Sequence, residues 1–312
     1  MRILLPVIIM FLFLMTSCSP RITGIERFRN YENKLRHQNE VKLTVENFNG
    51  IVKIEAREGI EDATVSAVLK ATGKSESAAE EFLDKIDVRF TRVGDEFSAK
   101  TIVPKTWTMA SNRGKKPMSF SVEYKIIIPE GLDIETAISN GSVEIAGKNA
   151  DVVGQSVNGD VTIRDNTGSV NAVTVNGSTY VSNSQDYEIK LRQTTQNGSH
   201  TLDLPNAQYG IYKLRTTSGD IDIKMPSSVE PDIEVNVANG SIKLEMGKRL
   251  AGKIDLITTN GTVSSDMVVN TTTSIGGSKT PTELIGRIGA GPGKVKVETK
   301  NGDIVMNYGS LE

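Results

Sequence analysis

The sequence has one cysteine, two histidines and one tryptophan in 312 residues, and aromatics make up only 5%. A single cysteine excludes an intramolecular disulfide framework and any zinc site built from several thiolates. Two histidines, His37 and His200, leave little for a metal centre or an acid–base enzyme. Charge of one sign is also missing, since 36 Lys+Arg stand against 38 Asp+Glu for a net charge of −2. That balance excludes a strongly basic nucleic-acid binder and an acidic disordered tail. Apolar content is 38%, enough for an ordered domain.

What is present begins with Met1-Arg2 and an apolar run from Ile3 to Met15 that contains one proline. Such a run rises about 20 Å as a helix, short of the ~30 Å hydrocarbon core. A secretory signal peptide over residues 1–17 is therefore expected rather than a spanning helix. Leu14-Met15-Thr16-Ser17-Cys18 resembles the bacterial lipoprotein cleavage box, with Met15 where Leu is commonest. The resemblance implies cleavage before Cys18 and lipid on its sulfur and amine, palmitate included. Acyl chains at about 0.8 kcal/mol per buried CH₂ make a durable membrane anchor. The alternative is a free or dimer-forming cysteine in a secreted protein. Removing residues 1–17 removes only Arg2, so the mature chain has 35 Lys+Arg against 38 Asp+Glu, a net charge of −3. Ser19 stands where the usual sorting rule would want Asp for inner-membrane retention, and no acidic cluster follows it. The expected localisation is the bacterial cell envelope, on the outer membrane facing the periplasm, with surface exposure as the alternative.

Internal repetition dominates the rest. Asn-Gly occurs at Asn49, Asn140, Asn158, Asn176, Asn197, Asn239, Asn260 and Asn301, and Ser218-Gly219 fills a gap. From Asn140 the intervals are 18, 18, 21, 21, 21, 21 and then 41, so one repeat is expected to have lost its signature. Three residues after each corner come Val143, Val161, Thr179, His200, Ile221, Ile242, Val263 and Ile304. Two before come Ile138, Ser156, Thr174, Thr195, Thr216, Val237, Thr258 and Thr299. These alternate with mostly polar residues, the period-2 signature of half-buried strands. Two folds fit. Each repeat is one rung of a β-solenoid, stacked about 4.8 Å from the next, or each Asn-Gly is a two-residue hairpin turn in a meander. The near-constant interval favours rungs, whose perimeters must match. The residue after each glycine is Ser142, Asp160, Ser178, Ser199, Asp220, Ser241, Thr262 or Asp303, suited to accept hydrogen bonds from turn amides. No two Asp are consecutive in that series, as stacked corners require. Parity alone leaves the Thr-rich series either an inward hydroxyl ladder or an exposed platform.

Asn-Gly-x-[Val/Ile]-x-[Ile/Leu] at this spacing resembles the bacterial β-strand-repeat family known as putative adhesins. Ile126-Ile127-Ile128-Pro129-Glu130-Gly131 resembles its entry strand, and Ile288-Gly289-Ala290-Gly291 before Val295 to Gly302 its last turn. The resemblance covers about residues 40–310 and implies surface attachment, with no catalytic residues to carry over. The expected architecture is all-β, a right-handed parallel β-solenoid over residues 131–312. A small N-terminal strand–helix cap precedes it over 40–130. Residues 18–39 are expected as a lipidated tether. Within the cap, Val41 to Glu58 reads as a first strand–corner–strand unit, and Ser75 to Ile86 as a helix that forms a lid. Residues 264–293 read as a loose rung and a turn.

Chemistry is sparse. Trp107, Arg113, Lys115 and Lys116 lie between Pro104 and Met118, an aromatic and basic loop that suits anionic glycans or partners, or is a flexible insertion. His200 falls on a core-facing position, which argues against a catalytic triad. The Gly-Asp pairs at 159–160, 219–220 and 302–303 lack the glycine-rich calcium repeat, so no metal and no cofactor are expected. A glycan-active enzyme would need carboxylates converging on one face, and outward residues are mainly uncharged, with charges such as Lys243 and Glu144 scattered. The expected function is therefore non-enzymatic: a lipid-anchored adhesin or scaffold with a glycan, cell-wall or protein partner and no nucleic acid. The alternatives are a structural or envelope-stress lipoprotein without ligand, and a glycan-active β-helix enzyme.

Overall fold

Short alternating segments bounded by Gly, Asn and Asp become strands throughout the chain. The computed structural model describes residues 24–36, 40–104, 119–185, 189–273 and 281–309. The N-terminal elements are β1 (Ile25–Arg36), β2 (Lys42–Arg57), β3 (Asp62–Gly73), α1 (Glu76–Leu83), β4 (Asp87–Val93), β5 (Glu96–Ile102) and β6 (Ser119–Pro129). Then come strand pairs, each hinged at an Asn-Gly or Ser-Gly corner. They are β7 (Asp133–Asn140) with β8 (Val143–Ala146), β9 (Val152–Asn158) with β10 (Val161–Arg164), and β11 (Val170–Asn176) with β12 (Thr179–Ser182). Next are β13 (Lys190–Thr194) with β14 (His200–Asp203), β15 (Ile211–Ser218) with β16 (Ile221–Met225), and β17 (Asp232–Asn239) with β18 (Ile242–Met246). The chain closes with β19 (Gly252–Asn260), β20 (Val263–Ser265), β21 (Asn270–Thr273), β22 (Glu283–Ile288), β23 (Gly293–Asn301) and β24 (Ile304–Tyr308).

The pairs stack in parallel rather than forming hairpins. Val143 faces Val161, which faces Thr179, which faces His200 and then Ile221. Strands before the corners form one half-sheet and strands after them a second, and β2 runs through the corner and belongs to both. The two halves pack face to face: a Cβ placed on Gly154 in β9 would sit 2.8 Å from Val161 Cγ1 in β10. One continuous core lies between them, running from Leu43 in β2 to Met306 in β24. Each level buries several Val, Ile or Leu side chains, and each is worth about 1.5–3 kcal/mol.

The stacking order departs from chain order at both ends. β2 lies between the β5/β6 level and the β7/β8 level. At the other end β23 lies between β17 and β19, and β24 between β18 and β20. The interval of 41 is thus not a rung that has lost its signature. Residues 266–292 contain the antiparallel pair β21–β22, which covers the outer edge of β19. The chain then turns back and inserts its last level one step inside.

Two further expectations change. The stretch expected as a tether contains β1, which pairs antiparallel with β3 along its whole length. Its charged residues hid the pattern. Arg27 pairs with Glu76 of α1 and Arg29 with its C-cap Asp84, while Tyr31 and Leu35 pack against the core. The segment expected as a separate cap is continuous with the stack, since β2, β5 and β6 are levels of it. The helix is where it was expected. Ser75 is its N-cap, with Oγ accepting from Ala78 N at 3.2 Å, and Ala79, Phe82 and Leu83 are buried. It packs so closely on the end of β3 that a Cβ on Gly73 would lie 2.7 Å from Ala79 N.

Candidate functional site

The corners are built first, because they set the outer surface. Each corner glycine lies directly over the carbonyl of the previous one. A Cβ on Gly159 (φ 148) would sit 2.2 Å from Gly141 O, and on Gly219 (φ 144) 2.1 Å from Gly198 O. Only glycine tolerates both that approach and that backbone. The corner asparagines form an amide ladder: Asn158 Nδ2 donates to Asn140 Oδ1 at 2.9 Å, Asn176 to Asn158 at 2.8 Å, and Asn197 to Asn176 at 2.8 Å. Ser218 interrupts it, and it resumes with Asn301 on Asn239 at 2.7 Å and Asn260 on Asn301 at 2.8 Å. The Thr-rich series is the inward ladder. Ser156, Thr174, Thr195 and Thr216 are buried and donate to the carbonyls of Gly141, Gly159, Gly177 and Gly198 at 2.8 to 3.0 Å. The residues after the glycines accept amides of the next level, as in Ser178 N to Asp160 Oδ1 at 2.7 Å and Ser241 N to Asp220 Oδ1 at 2.8 Å.

With those hydroxyls turned inward, ligand-facing chemistry falls to the outward residues of the first half-sheet. There an open depression of about 700 Å³ spans the levels from β13 to β19. Thr194, Gln196, Arg215, Thr217, Asn236, Thr259 and Lys300 supply its polar groups, and Ala238 and Ile257 its apolar floor. These side chains stand one or three residues before the corners, so the repeat aligns them in rows. The small Ala238 between Thr217 and Lys300 leaves room in its row. Glu298, the one carboxylate among the described lining residues, is held by Lys296 at 2.9 Å. That hydrogen bond raises the Lys296 pKa above its ordinary value. Beside the depression, burial opposes ionisation of Glu234, but Lys213 at 3.5 Å and Arg215 at 3.4 Å together hold its carboxyl below the ordinary value. All these pairs are exposed enough to add little stability. What they set is a local field of mixed sign on a hydrogen-bonding surface.

His200 is not on this surface. It is fully buried, with Nδ1 2.6 Å from Thr179 Oγ1 and Nε2 2.8 Å from the carbonyl of Arg215. Gln193 Nε2 donates to the same Thr179 Oγ1 at 2.8 Å. Burial pushes the His200 pKa down to about 4, so the ring is neutral at pH 7 and donates through Nε2. The arrangement gives both ring nitrogens partners inside the core, leaves Gln193 Oε1 without one, and reaches no solvent. Among the described residues, no group of three or more His, Cys, Asp or Glu is placed to hold a metal ion.

Of the residues singled out in the sequence, Cys18, Trp107, Arg113, Lys115 and Lys116 lie outside the described residues, as does His37. Glu144 and Lys243 lie on the outward face of the second half-sheet, paired with Lys53 at 3.5 Å and Glu245 at 2.5 Å. Arg215, Asn236 and Lys300 were not singled out. The signal was available in the outward positions just before successive corners, but only if the stacking order were known.

Parallel strand pairs stacked on Asn-Gly corners, with polar rows outside and one core inside, define a solenoid-like β-repeat protein. The sequence matches the family Toastrack DUF4097 over residues 104–307, and the chain belongs to this family, a domain of unknown function. No curated protein matches it. Among solved structures, a putative adhesin from Bacteroides fragilis is similar at 13% identity and a TM-score of 0.41, covering 89% of this chain and 97% of its own. A putative adhesin from Parabacteroides distasonis is similar at 9% identity and a TM-score of 0.43, with the same coverage of 89% and 97%. A putative lipid binding protein from Parabacteroides distasonis matches at 12% identity and a TM-score of 0.28, covering 90% of this chain and 95% of its own.

Proposed function

We propose that this protein is a non-enzymatic, lipid-anchored component of the bacterial cell envelope that binds glycans on the outward face of its first half-sheet. In this reading the stack is a right-handed β-solenoid with rungs of 18 to 21 residues. Right-handed winding is what parallel crossover connections adopt almost without exception. The observation that carries the reading is the open depression lined by Thr194, Gln196, Thr217, Asn236 and Thr259, with Arg215 and Lys300 at hand. Rows of hydroxyl and amide groups suit a polymer of hydroxyls, and the two cations suit its carboxylates or phosphates. Among the described residues the lining has a single carboxylate, Glu298, whereas glycoside hydrolysis uses a pair.

Lipid on Cys18 would hold the domain close to its membrane. β1 starts seven residues further on at Ile25, a reach of about 25 Å at full extension. Among the described residues no helix is long and apolar enough to cross a membrane.

The test is a binding screen of residues 19–312, which keep every described residue, against bacterial and host glycans and peptidoglycan fragments. A saturable hit is expected, weakened at least about tenfold by Asn236→Ala or Lys300→Ala. A hit weakened by Trp107→Ala alone would move the site to the β5–β6 connection. No hit in any class would overturn the glycan reading in favour of a purely structural role. Separately, Cys18→Ser in the full chain should release the protein from the membrane fraction.

A further inference from the structure

The outward face of the first half-sheet carries a second feature, centred on β9 and β11 and meeting the glycan depression at Thr194 and Arg215. Four valines lie there. Val157 is 42% exposed, and Val153, Val173 and Val175 are half-buried with no covering element among the described residues. Ala137 in β7 and Thr194 in β13 extend this uncharged band. Its two flanks differ in sign. Toward the N-terminal levels stand Asp133 and Glu135 in β7 and Glu46 in β2, with Lys42 paired to Glu135 at 2.7 Å and Lys100 to Glu46 at 2.5 Å, so the flank carries acid in excess rather than acid alone. Toward the C-terminal levels stand Lys190 and Arg192 in β13 and Lys213 and Arg215 in β15. Lys190 and Arg192 make no ion pair among the described residues.

We infer that this face is a dimer interface between two copies of the chain, related by a two-fold axis parallel to the strands and midway between β9 and β11. The argument is self-complementarity. Such an axis lays β9 over β11 of the second copy, β7 over β13, and β2 over β15, with residues at equal distance from their corners superposed. Asp133 and Lys190 both stand seven residues before a corner asparagine, and Glu135 and Arg192 both stand five before. Glu46 and Arg215 both stand three before their corners, Asn49 and Ser218. Each acid thus meets a base of the second copy. Val157 meets Val175, Gln155 meets Val173, Val153 meets Asn171, Lys42 meets Ile211 and Thr44 meets Lys213, so no like charges oppose. An isologous interface requires this kind of matching, in which residue i meets j and j meets i. Opposite charge patches facing each other also fix register and suppress other pairings.

The area suffices. Six strands about 4.8 Å apart and roughly eight residues long, at about 3.3 Å each, present roughly 750 Å² per copy. Stable interfaces bury about 800 Å² per partner. Sheets packing face to face in this way bury their alternate side chains between them, as in β-sandwiches.

The test is sedimentation equilibrium of residues 19–312 across a micromolar concentration range, with twice the monomer mass expected. Val157→Arg should weaken association at least about tenfold while leaving the thermal midpoint measured at monomer concentrations unchanged, since Val157 points outward. Glu135→Lys and Arg192→Glu should each weaken it by a similar factor, and the double variant should recover the dimer. A monomer at every concentration would overturn the inference, and so would a dimer indifferent to Val157→Arg. Failure of the double variant to recover would overturn the proposed axis. Asn236→Ala and Lys300→Ala should leave the dimer intact, so this result and the glycan screen stand or fall separately.

Discussion

Asn301 donates through Nδ2 to Asn239 Oδ1 at 2.7 Å across 62 residues of chain, while Asn260, nearer in sequence, lies on the other side of it. The last level of the chain is therefore clamped between two levels made before it. Lys42–Arg57 is clamped in the same way at the N-terminal end. An ordinary repeat array frays from its ends, because a terminal repeat has one neighbour. Here the first strand–corner–strand unit and the last level each have two.

Truncation before Gly293 should therefore be far more damaging than loss of an end repeat. It would remove one of the two partners of β17 and of β18, leave β19 paired only with β22, and leave β20 without its partner β24. The expected outcome is loss of the cooperative unfolding transition for the whole C-terminal half, followed by circular dichroism in urea and by limited proteolysis. A truncated protein that melts as sharply as the intact chain would contradict the inserted order.

The asparagine ladder has one gap, at Ser218 between Asn197 and Asn239. Ser218→Asn should complete it and add up to two amide hydrogen bonds. A stabilisation of about 1 kcal/mol is expected in urea unfolding. A destabilised variant would mean that the gap has a steric cause.

At Gly219 the opposite result is expected. A methyl group there would meet the Gly198 carbonyl oxygen at 2.1 Å, and the backbone φ of 144 is one that side-chain-bearing residues rarely adopt. The atom in the way is backbone, so nothing local can yield. Gly219→Ala should cost about 3 kcal/mol or more, read as a lowered urea midpoint.

How much of this was legible before the structure is clearest at such positions. The eight Asn-Gly pairs, the apolar residues three and five after them and the small polar residue after each glycine were enough to specify strand, corner, strand, and stacking in register. The direction of the Thr series was not. Thr174 and Thr195 point inward because their hydroxyls can reach the glycine carbonyls one level below, and that depends on a neighbouring level rather than on local alternation. β1 was missed because Arg27, Arg29 and Lys34 read as tether when their partners on and beside α1 and on β3 are not in view. The rows that form the depression were missed for the same reason. Gln196, Thr217, Ala238, Lys300 and Thr259 are neighbours only once β23 is placed between β17 and β19.

Acid should expose the buried His200. Its folded pKa of about 4 lies below the ordinary value of 6.5, so the unfolded chain binds the proton first as pH falls. Stability is complete above about pH 6.5 and declines as pH drops toward 4. The total is roughly 3 kcal/mol for a shift of this size. Urea unfolding at pH 7 and pH 4 should show that loss in the native protein, and His200→Gln should lack it. Equal acid sensitivity in both would place the cause elsewhere, among the carboxylates.

By itself the sequence determined the unit. Alternation set which side chains share a face, glycine set where the chain turns, and the interval between corners set a perimeter that lets one unit lie on the next. The order of the units was decided only by the tertiary structure. Equivalent strands present the same backbone donors and acceptors and the same Asn, Gly and Ser/Thr ladders, so almost any two of them pair equally well. What distinguishes β17–β23 from β17–β19 is the long antiparallel excursion through β21 and β22. It carries the chain far enough to return on the near side of the level it has just built.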